Sequence, residues 1–471
     1  MTTREHGTLF GRHVVVVGAG LAGLSAALEC ADLGARVTVL ERQRRLGGLT
    51  WSFSRNGVSM DNGQHVFLAC CDAYLGFLDR IGAADGVVPP RPLDVPVVAP
   101  GTDGPMVGRL RRQDLPVPFH LAGALLRYQH ISLRDRLALG RALAALHRLD
   151  LEDDRLDDVT FGAWLAAHGQ SKAAIAAVWD LITVPTVNLP ASEASLAVAA
   201  MVFKTGLLSS RQASDIGWSA IPLGRLHGER AAAALHRVGA AVHLGVRVAG
   251  VDEDGDGGWR VLTGDGRFDA DAVVVAVPHE EASAIVPKWV DGRARWFELG
   301  SSAIVDVHLI FERSVTGWPI MAGHSSPVQW VFDRTASSGL EHSGHQYLAL
   351  SLSAADHALG RPPEELVRRV VEALGQLLPS VSEARLVDAA VTKERRATFR
   401  AAPGTQSLRP SAITRRAGLV LAGAWTDTGW PATMEGAVRS GSAAARALAG
   451  VSATHAWIPS PIPQAHPKEV A

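Results

Sequence analysis

Three glycines near the start of the chain have the spacing of a dinucleotide-binding turn. Gly18, Gly20 and Gly23 fit the pattern G-x-G-x-x-G, with Leu21 and Ala22 completing it. In such a turn the first glycine permits the tight bend, the second lets backbone approach a pyrophosphate, and the third lets helix and strand pack closely. The helix that begins here would present free N–H groups and its positive dipole end to the phosphates. The spacing predicts a nucleotide cofactor, with a structural turn that binds no nucleotide as the alternative.

Two features after this turn fit the same cofactor. Glu41 follows Gly23 by 18 positions, at the end of the next predicted strand, where a carboxylate would accept hydrogen bonds from the adenosine ribose. Arg42 comes directly after it, and we expect it at the same site. Gly47 and Gly48 form a glycine pair that suits backbone lying close to a phosphate. An ordinary loop with two glycines is the alternative for this pair.

A predicted strand, loop and helix near the other end of the chain offer a second cofactor contact. The strand 418–422 runs into Gly423, and a helix begins at Met434. A helix N-terminus aimed at the pyrimidine side of a flavin would stabilise negative charge on the reduced ring. A plain strand-to-helix loop is the alternative. From this segment we predict cofactor contacts at Asp427, Glu435, Gly436 and Ala437.

A polar segment interrupts apolar sequence between these motifs. Residues 61–65 read Asp-Asn-Gly-Gln-His, and an apolar run begins at Val66. Asn-Gly is the strongest short-range signal for a β-hairpin, so the segment fits a surface turn. It fits equally well a functional loop in which His65 exchanges a proton.

The elements around these motifs predict a discontinuous α/β domain. Residues 13–17 are a β-branched run, 21–33 carry apolar residues at helical spacing, and 36–40 form a second strand. Together they make a βαβ unit. Strand patterns return at 241–251, 259–262, 272–277 and 418–422. We therefore predict a Rossmann-like dinucleotide-binding domain, discontinuous in sequence, with an inserted mixed α+β substrate domain that is partly helical.

The length of the chain favours more than one domain. The dinucleotide-binding domain is predicted in three parts, at 1–87, 206–290 and 411–450. Between them, 88–205 is predicted as a largely helical insertion facing substrate or membrane, and 291–410 as the sheet and helices of the substrate domain. The Pro-rich tail, 451–471, lacks periodicity and is predicted to be disordered.

Composition narrows the function. Hydrophobic residues make up 47% of the 471 residues and charged residues 20%, which is typical of globular proteins. The formal net charge of −1 gives no field that attracts nucleic acid. No H-E-x-x-H, paired C-x-x-C, P-loop or G-x-S-x-G pattern occurs, so we expect no metal site, nucleotide hydrolysis or serine-hydrolase chemistry. Three cysteines and no signal-peptide pattern predict a cytoplasmic location.

Taken together, the motifs resemble the amine-oxidase and phytoene-desaturase superfamily of FAD enzymes. The glycine turn, the paired glycines and the C-terminal strand, loop and helix follow that superfamily's order. Segments 61–65, 425–429 and 435–441 are similar to its squalene-associated FAD-dependent desaturase group. The resemblance implies FAD as the cofactor, with further contacts at Leu49 and Val248. Leu49 replaces the arginine usual in the superfamily, so backbone N–H groups would hold that phosphate instead.

The narrower resemblance implies a reduction in squalene and hopanoid biosynthesis. Hydroxysqualene would lose its allylic hydroxyl, and hydride from reduced flavin would replace it, giving squalene. A general acid near the oxygen typically contributes about 10²–10⁴-fold, and the candidates are His65, Asp427 and Asp215. The reductant of the flavin is not indicated.

A lipophilic isoprenoid substrate implies access from a membrane, and hence peripheral attachment to its inner face. The arginine-rich region 109–148 suits docking on anionic lipid. A solvated helix face fits that region equally well.

Two other functions fit the same cofactor. A desaturase or amine oxidase would run the chemistry as an oxidation. The aromatic cage of amine oxidases is weakly disfavoured, because the chain has only three tyrosines. A non-catalytic flavin-binding protein would hold FAD without turnover.

Overall fold

Five parallel strands form the sheet that carries the glycine motifs. The computed structural model describes residues 9–450, so the predicted disordered tail, 451–471, lies outside the described residues. In spatial order the strands are β10 (Ala241–Leu244), β2 (Arg36–Glu41), β1 (His13–Val17), β14 (Ala272–Val275) and β20 (Leu419–Leu421). Every neighbouring pair is parallel. The strands come from three separated segments, which confirms the predicted discontinuous α/β fold.

Four helices cover one face of this sheet: α1 (Leu21–Asp32), α2 (Asp72–Arg80), α9 (Arg230–Arg237) and α13 (Met434–Ala449). Helices α1 and α13 come from opposite ends of the chain and pack closely together. A Cβ atom at Gly441 would lie 2.1 Å from the carbonyl oxygen of Ala22. The missing side chain at Gly441 therefore lets the two motif-bearing helices lie side by side.

The other face of the sheet is covered by a three-stranded antiparallel sheet and one helix. These elements are β11 (Val248–Glu253), β12 (Trp259–Thr263), β13 (Gly266–Ala270) and α10 (His279–Ile285). Val15 and Val275 of the central strands pack with the buried indoles of Trp259 and Trp296. Because both faces are covered, the central strands consist of apolar residues without alternation.

A second large sheet contains seven strands. In spatial order it contains β19 (Leu386–Thr398), β15 (Ser302–Phe311), β18 (Gln346–Leu352), β17 (Trp330–Asp333), β16 (Ile320–Gly323), β7 (Asp94–Ala99) and β8 (Met106–Arg111). Helix α12 (Pro363–Leu377) covers one face through buried Leu366, Val370 and Leu374. The opposite face is left for a ligand cavity.

The segment 88–205, predicted as largely helical, begins with strands. β6 (Val87–Arg91), β7 and β8 precede the helices, and β7 pairs with β16 over only two residues, Val97 and Val98. Pro96 lies just outside that pairing, so a residue without an N–H is tolerated there. The helices that follow are α3 (Ala122–Arg127), α4 (Leu133–His147), α5 (Phe161–Ala167), α6 (Lys172–Ala174), α7 (Asp180–Val187) and α8 (Leu196–Phe203).

The polar segment 61–65 is a crossing between two small sheets. β3 (Ser52–Arg55) and β4 (Val58–Asp61) form one hairpin, whereas β5 (Val66–Leu68) pairs with β9 (Ile216–Ser219). The segment therefore does not make the hairpin turn that its Asn-Gly pair permits. The short helix α11 (Thr335–Ser338) packs near β4.

Candidate functional site

A cavity runs along the carboxyl ends of the central parallel strands. It encloses about 2160 Å³ of empty space, including its open mouth. This is where open parallel sheets bind their ligands. Eleven of the predicted cofactor residues line it: Gly18, Gly20, Leu21, Ala22, Glu41, Arg42, Gly47, Gly48, Leu49, Val248 and Ala437.

Two glycines from separate motifs meet at the centre of this cavity. A Cβ atom at Gly48 would lie 2.7 Å from the Cα atom of Gly20. Gly20 is also the N-cap of α1, where no side chain caps the helix. The backbone N–H groups of the first turn are thus left for a ligand, and the dipole favours an anion there. The cradle fits a pyrophosphate.

Glu41 holds the glycine turn in place. Its buried carboxylate accepts a hydrogen bond of 2.7 Å from the backbone N–H of Ala19 and another of 2.7 Å from that of Gln43. Carboxylate oxygens have further lone pairs, so Glu41 can also accept from a ribose hydroxyl. The residue predicted for the ribose therefore ties the end of β2 to the turn after β1.

Arg45 brings to the cavity a positive charge that position 49 lacks. Its guanidinium stacks 4.4 Å from the ring centre of Trp51 and donates to the Gly48 carbonyl at 2.8 Å. Arg45 lines the cavity beside Leu49, which is 42% exposed. Arg45 lies four positions before Leu49, where the superfamily usually has its arginine. It could have been found in the sequence, because it is the cationic residue nearest to Gly47 and Gly48.

Four predicted cofactor residues do not line this cavity. At Gly23 a Cβ atom would lie 1.9 Å from the Gly18 carbonyl oxygen, so this glycine serves helix–strand packing. At Gly436 a Cβ atom would lie 2.5 Å from the Pro431 carbonyl oxygen. Glu435 is buried and accepts from the backbone N–H groups of Ala73 and Tyr74 at the start of α2.

Asp427 is the fourth, and its side chain lies outside both of the cavities described in this section. Its side chain is exposed and accepts a hydrogen bond of 2.9 Å from Gln406. It lines neither this cavity nor the one described next. In the loop 423–433 the side chain of Asp427 points to solvent, and residue spacing alone does not predict the direction of a side chain.

A second cavity lies on the seven-stranded sheet and encloses about 2040 Å³ of empty space, including its mouth. Alternate residues of each strand point into it, including Ile304 of β15 and Trp330 and Phe332 of β17. Helices α7 and α8 contribute Leu181 and Met201 on the other side. Most of the lining is aliphatic or aromatic, so the cavity suits a large apolar ligand.

The two cavities meet. Eight residues line both: Leu49, His65, Glu394, Ala397, Thr398, Ala432, Thr433 and Met434. We call this set the junction. Thr433 is the N-cap of α13, and its hydroxyl accepts from the Gly436 N–H at 3.2 Å. The positive end of α13 therefore lies at the place where the two ligands would touch.

His65 is the predicted catalytic residue that the structure places at the junction. Burial lowers the pKa of its imidazole, and the carboxylate of Asp61 acts in the opposite direction. Asp61 is itself held by Arg334 at 3.0 Å. At neutral pH His65 is consequently uncharged, so it is a weak proton donor.

Asp215, the third predicted acid, forms an ion pair with Arg112. Both of its oxygens accept from Arg112, at 2.6 and 2.8 Å, and both side chains are about nine-tenths buried. Its neighbours Ser214 and Ile216 line the second cavity, whereas Asp215 does not. The bidentate geometry identifies a structural pair that joins β8 to the segment before β9.

Two carboxyl groups in the second cavity were not predicted from the sequence. Glu394 lies at the junction, where burial raises its pKa and the guanidinium groups of Arg396 and Arg45 act in the opposite direction. Asp306 of β15 is 1% exposed, and burial raises its pKa to about 7. The range 304–310 is apolar apart from Asp306 and His308, and an acidic residue in such a strand is the signal that would have found Asp306.

The family model for flavin-containing amine oxidoreductases matches residues 21–449 of the chain. The chain belongs to this family. It is an FAD-dependent oxidoreductase, in agreement with the pyrophosphate cradle of Gly20 and Gly48. Bound FAD supplies two-electron redox chemistry. The residues that would hold it are the cavity-lining glycines, Glu41 and Arg45.

Curated relatives of this flavin oxidoreductase include isoprenoid enzymes. A hydroxysqualene dehydroxylase of Sinorhizobium fredii is 30% identical over 444 residues, covering 92% of this chain and 97% of the relative. A probable zeta-carotene desaturase of Synechococcus elongatus is 25% identical over 482 residues, covering 92% and 98%.

Solved structures of the family share the fold. Cyclohexylamine oxidase from Brevibacterium oxydans superposes with a TM-score of 0.71 at 19% identity, covering 93% of this chain and 99% of that protein. Within residues 9–450, no helix has the length and apolarity needed to cross a bilayer. The same range contains no group of three or more His, Cys, Asp or Glu side chains arranged to hold a metal ion.

Proposed function

We propose that the chain removes the allylic hydroxyl of hydroxysqualene by reduction, giving squalene, with FAD as its cofactor. The observation that carries the proposal is the junction, where a large apolar cavity opens onto the cofactor cavity. The relative from Sinorhizobium fredii, named hydroxysqualene dehydroxylase, covers nearly the whole chain and supports this substrate.

The apolar cavity favours a hydrocarbon chain over an amine. Burial of apolar surface contributes about 25 cal/mol per Å², so a long prenyl chain gains much from such a lining. A protonated amine would need an aromatic cage or a free carboxylate for its charge. Of the carboxyl groups lining the cavity, Glu435 is paired with Arg439, Glu394 lies near arginines, and burial raises the pKa of Asp306. The aromatic residues lining the cavity include two neighbouring pairs, Trp330 with Phe332 and Phe67 with Tyr74, and also Trp430.

The residues around the junction supply three functions in this reaction. Apolar side chains exclude water, which protects a carbocation while the C–O bond breaks. An acid in the cavity gives a proton to the departing hydroxyl, which leaves as water. Reduced FAD supplies the hydride that completes the hydrocarbon. The net change consumes one allylic alcohol, one proton and one hydride and yields one hydrocarbon, with a new allylic carbon–hydrogen bond, and one water.

The second candidate is a polyene desaturase, which the relative from Synechococcus elongatus favours. That reaction removes hydride and a proton from a hydrocarbon, so it has no leaving oxygen to protonate. A carboxyl group that donates a proton serves the dehydroxylation, whereas the desaturation would need the same group as a carboxylate base.

The deciding experiment supplies chemically reduced holoenzyme with hydroxysqualene under anaerobic conditions. We expect squalene, detected by mass spectrometry, together with oxidised flavin in equal amount. Oxidised holoenzyme with phytoene or zeta-carotene is the matched comparison. Desaturated polyene without any squalene would refute the proposal, and FAD binding with neither product would identify a non-catalytic flavin protein.

We further propose that substrate enters from an anionic membrane surface through α3 and α4. Four large apolar side chains on this part of the chain are more than half exposed: Phe119, Leu126, Leu133 and Leu137. Exposed arginines surround them at positions 127, 134 and 141. This combination of apolar side chains and basic rim matches an anionic bilayer.

A route for substrate lies beneath these helices. Leu125 of α3 and Leu139 and Leu143 of α4 line a small apolar pocket. Four residues line both that pocket and the large cavity: Leu93, Leu110, Ile182 and Leu207. Apolar surface therefore continues from the exposed helices toward the junction.

Vesicle sedimentation tests this surface separately from activity. We expect holoenzyme to bind phosphatidylglycerol vesicles more strongly than phosphatidylcholine vesicles, and less as salt rises. The double variant Leu133→Ser, Leu137→Ser should bind at least about tenfold more weakly, because each leucine contributes about 1.5–3 kcal/mol when fully buried. Leu244→Ser, on β10 of the other domain, is the control. Equal binding by the double variant and wild type would show that the surface lies elsewhere.

A further inference from the structure

One buried carboxyl group in the apolar cavity has no cation beside it. Asp306 projects from β15 into the cavity, between its neighbours across the strands, Ser351 of β18 and Thr392 of β19. It is 1% exposed, and its Oδ1 atom is buried without a hydrogen-bond partner. An unpaired buried carboxylate would be costly, so such a group is retained in its protonated form.

The other acids near the cavity are occupied. Asp61 pairs with Arg334 at 3.0 Å, and Glu435 accepts from two backbone N–H groups and from Arg439. Glu394 lies among arginines. Each of these carboxyl groups therefore has an arginine beside it. Burial raises the pKa of Glu394 and of Glu435, and the neighbouring arginines oppose that shift. Within residues 9–450, Asp306 is the carboxyl group lining this cavity that has neither an ion pair nor a neighbouring arginine.

Asp306 also lies beside the junction. A Cβ atom built at Gly63 would be 3.4 Å from Asp306 Oδ2 and 3.7 Å from His65 Nε2. The two side chains thus flank the same glycine, and His65 lines both cavities. Because Gly63 has no side chain, the space between Asp306 and His65 stays open; a side chain at this position would contact both groups.

We propose that Asp306 is the general acid that protonates the departing hydroxyl of the substrate. This inference rests on the proposed dehydroxylation. The proton passes from the carboxyl oxygen of Asp306 to the allylic hydroxyl oxygen. The C–O bond then breaks with its electron pair leaving on water, and the allylic cation receives a hydride from the two-electron reductant, reduced flavin. Asp306 remains as carboxylate and regains its proton from solvent before the next turnover.

The titration of Asp306 agrees with this role. Burial raises its pKa to about 7, the nearby Asp61 carboxylate acts in the same direction, and Ser351 and the backbone of Gln64 oppose them. A carboxyl group with this pKa is largely protonated below pH 7 and still acidic enough to donate. Ionisable groups on the elements packed against it include Asp61, His65, His308, Arg334, Tyr347 and Glu394, and β19 also carries Asp388, Lys393, Arg395 and Arg396.

The test is the variant Asp306→Asn, which keeps the size of the side chain and removes its acidic proton. We expect kcat for hydroxysqualene to fall about 10²–10⁴-fold with KM changed less than about threefold. The allylic chloride of the same chain needs no proton to depart. With that substrate, and after correction for solvolysis without enzyme, the variant should match wild type within about threefold. The matched control is Asp388→Asn, because Asp388 lies on the neighbouring strand β19 but forms a surface ion pair with Arg55 of β3.

A readout independent of turnover is the infrared carbonyl band of a protonated carboxyl. Difference spectra of wild-type holoenzyme between pH 6 and pH 8 should contain a band that Asp306→Asn lacks and Asp388→Asn keeps. If Asp306→Asn is poorly folded, Asp306→Glu should keep the band and part of the activity.

Two outcomes separate the inference from the proposed function. Wild-type enzyme that makes no squalene overturns the function itself. Wild type that makes squalene while Asp306→Asn keeps its rate, or keeps the infrared band, overturns the role of Asp306 alone.

Discussion

Replacing Gly20 with valine should abolish FAD binding without unfolding the protein. Gly20 has φ −72° and ψ 177°, an extended backbone that any residue adopts. The nearest protein atom to a Cβ at this position is the Cα atom of Gly48, at 3.8 Å, which is ordinary van der Waals contact. The polypeptide therefore has room for the new side chain. The remaining direction leads into the cofactor cavity, where the pyrophosphate must approach the backbone.

The size of the effect follows from the contacts that are lost. A hydrogen bond to a charged group contributes about 1.5–3 kcal/mol. Displacing the pyrophosphate from two backbone N–H groups of α1 would cost about 3–6 kcal/mol, which corresponds to about 10²–10⁴-fold weaker FAD binding. The free energy of unfolding of the apoprotein should change by less than about 1 kcal/mol, because the site is open in the protein itself.

The assay is the ratio of flavin absorbance to protein absorbance after purification, followed by titration of the apoprotein with FAD. Gly360→Val is the control, because Gly360 is exposed and a Cβ there would meet nothing within 4 Å. Thermal melting of both apoproteins checks the fold. A Gly20→Val protein that purifies with the wild-type flavin ratio would refute the placement of the pyrophosphate at this turn.

Three further predictions concern charges. Asp215→Asn should lower the free energy of unfolding by about 3–5 kcal/mol in urea, because it leaves Arg112 buried without its partner, while FAD content and kcat of the folded fraction stay unchanged. Arg45→Leu should weaken FAD binding by about 1.5–3 kcal/mol in the same titration, with Arg44→Leu as its neighbouring control. The pKa of Asp306 is raised from 3.8 to about 7, so between these pH values the folded state holds a proton that the unfolded chain releases. The free energy of unfolding of wild type, relative to that of Asp306→Asn, should therefore fall as pH rises from about 4 to about 7. The expected slope is about 1.4 kcal/mol per pH unit. A flat difference between wild type and variant over that range would contradict the buried, unpaired carboxyl.

The cofactor half of the site could be predicted because its signals are local. A strand, a glycine turn and a helix occupy about 20 consecutive residues, and each glycine has a steric reason that depends only on its neighbours. The carboxylate of Glu41 is fixed by the same βαβ unit. The FAD-binding fold therefore follows from the sequence, even though its last strand comes some four hundred residues later.

The positions of two predicted acids, Asp427 and Asp215, could not be predicted, for a different reason. Asp427 and Asp215 were chosen from residue type and from similarity of motifs, and neither property states which way a side chain points. Asp427 ends in solvent with Gln406, and Asp215 meets Arg112, which is 103 positions away in the chain. An acidic residue that is close to the cofactor motifs in the sequence is therefore not necessarily close to the substrate cavity in the structure.

The sequence by itself determined that this chain folds around a dinucleotide, since alternation, glycine spacing and helix caps act over a few residues. Only the tertiary structure decided which polar groups share the apolar cavity. Strands β15 and β19 bring Asp306 and Glu394 beside His65, across more than two hundred positions of the chain. Burial, and with it the protonation of Asp306, is a property of that assembled environment, because desolvation depends on every element that surrounds the group.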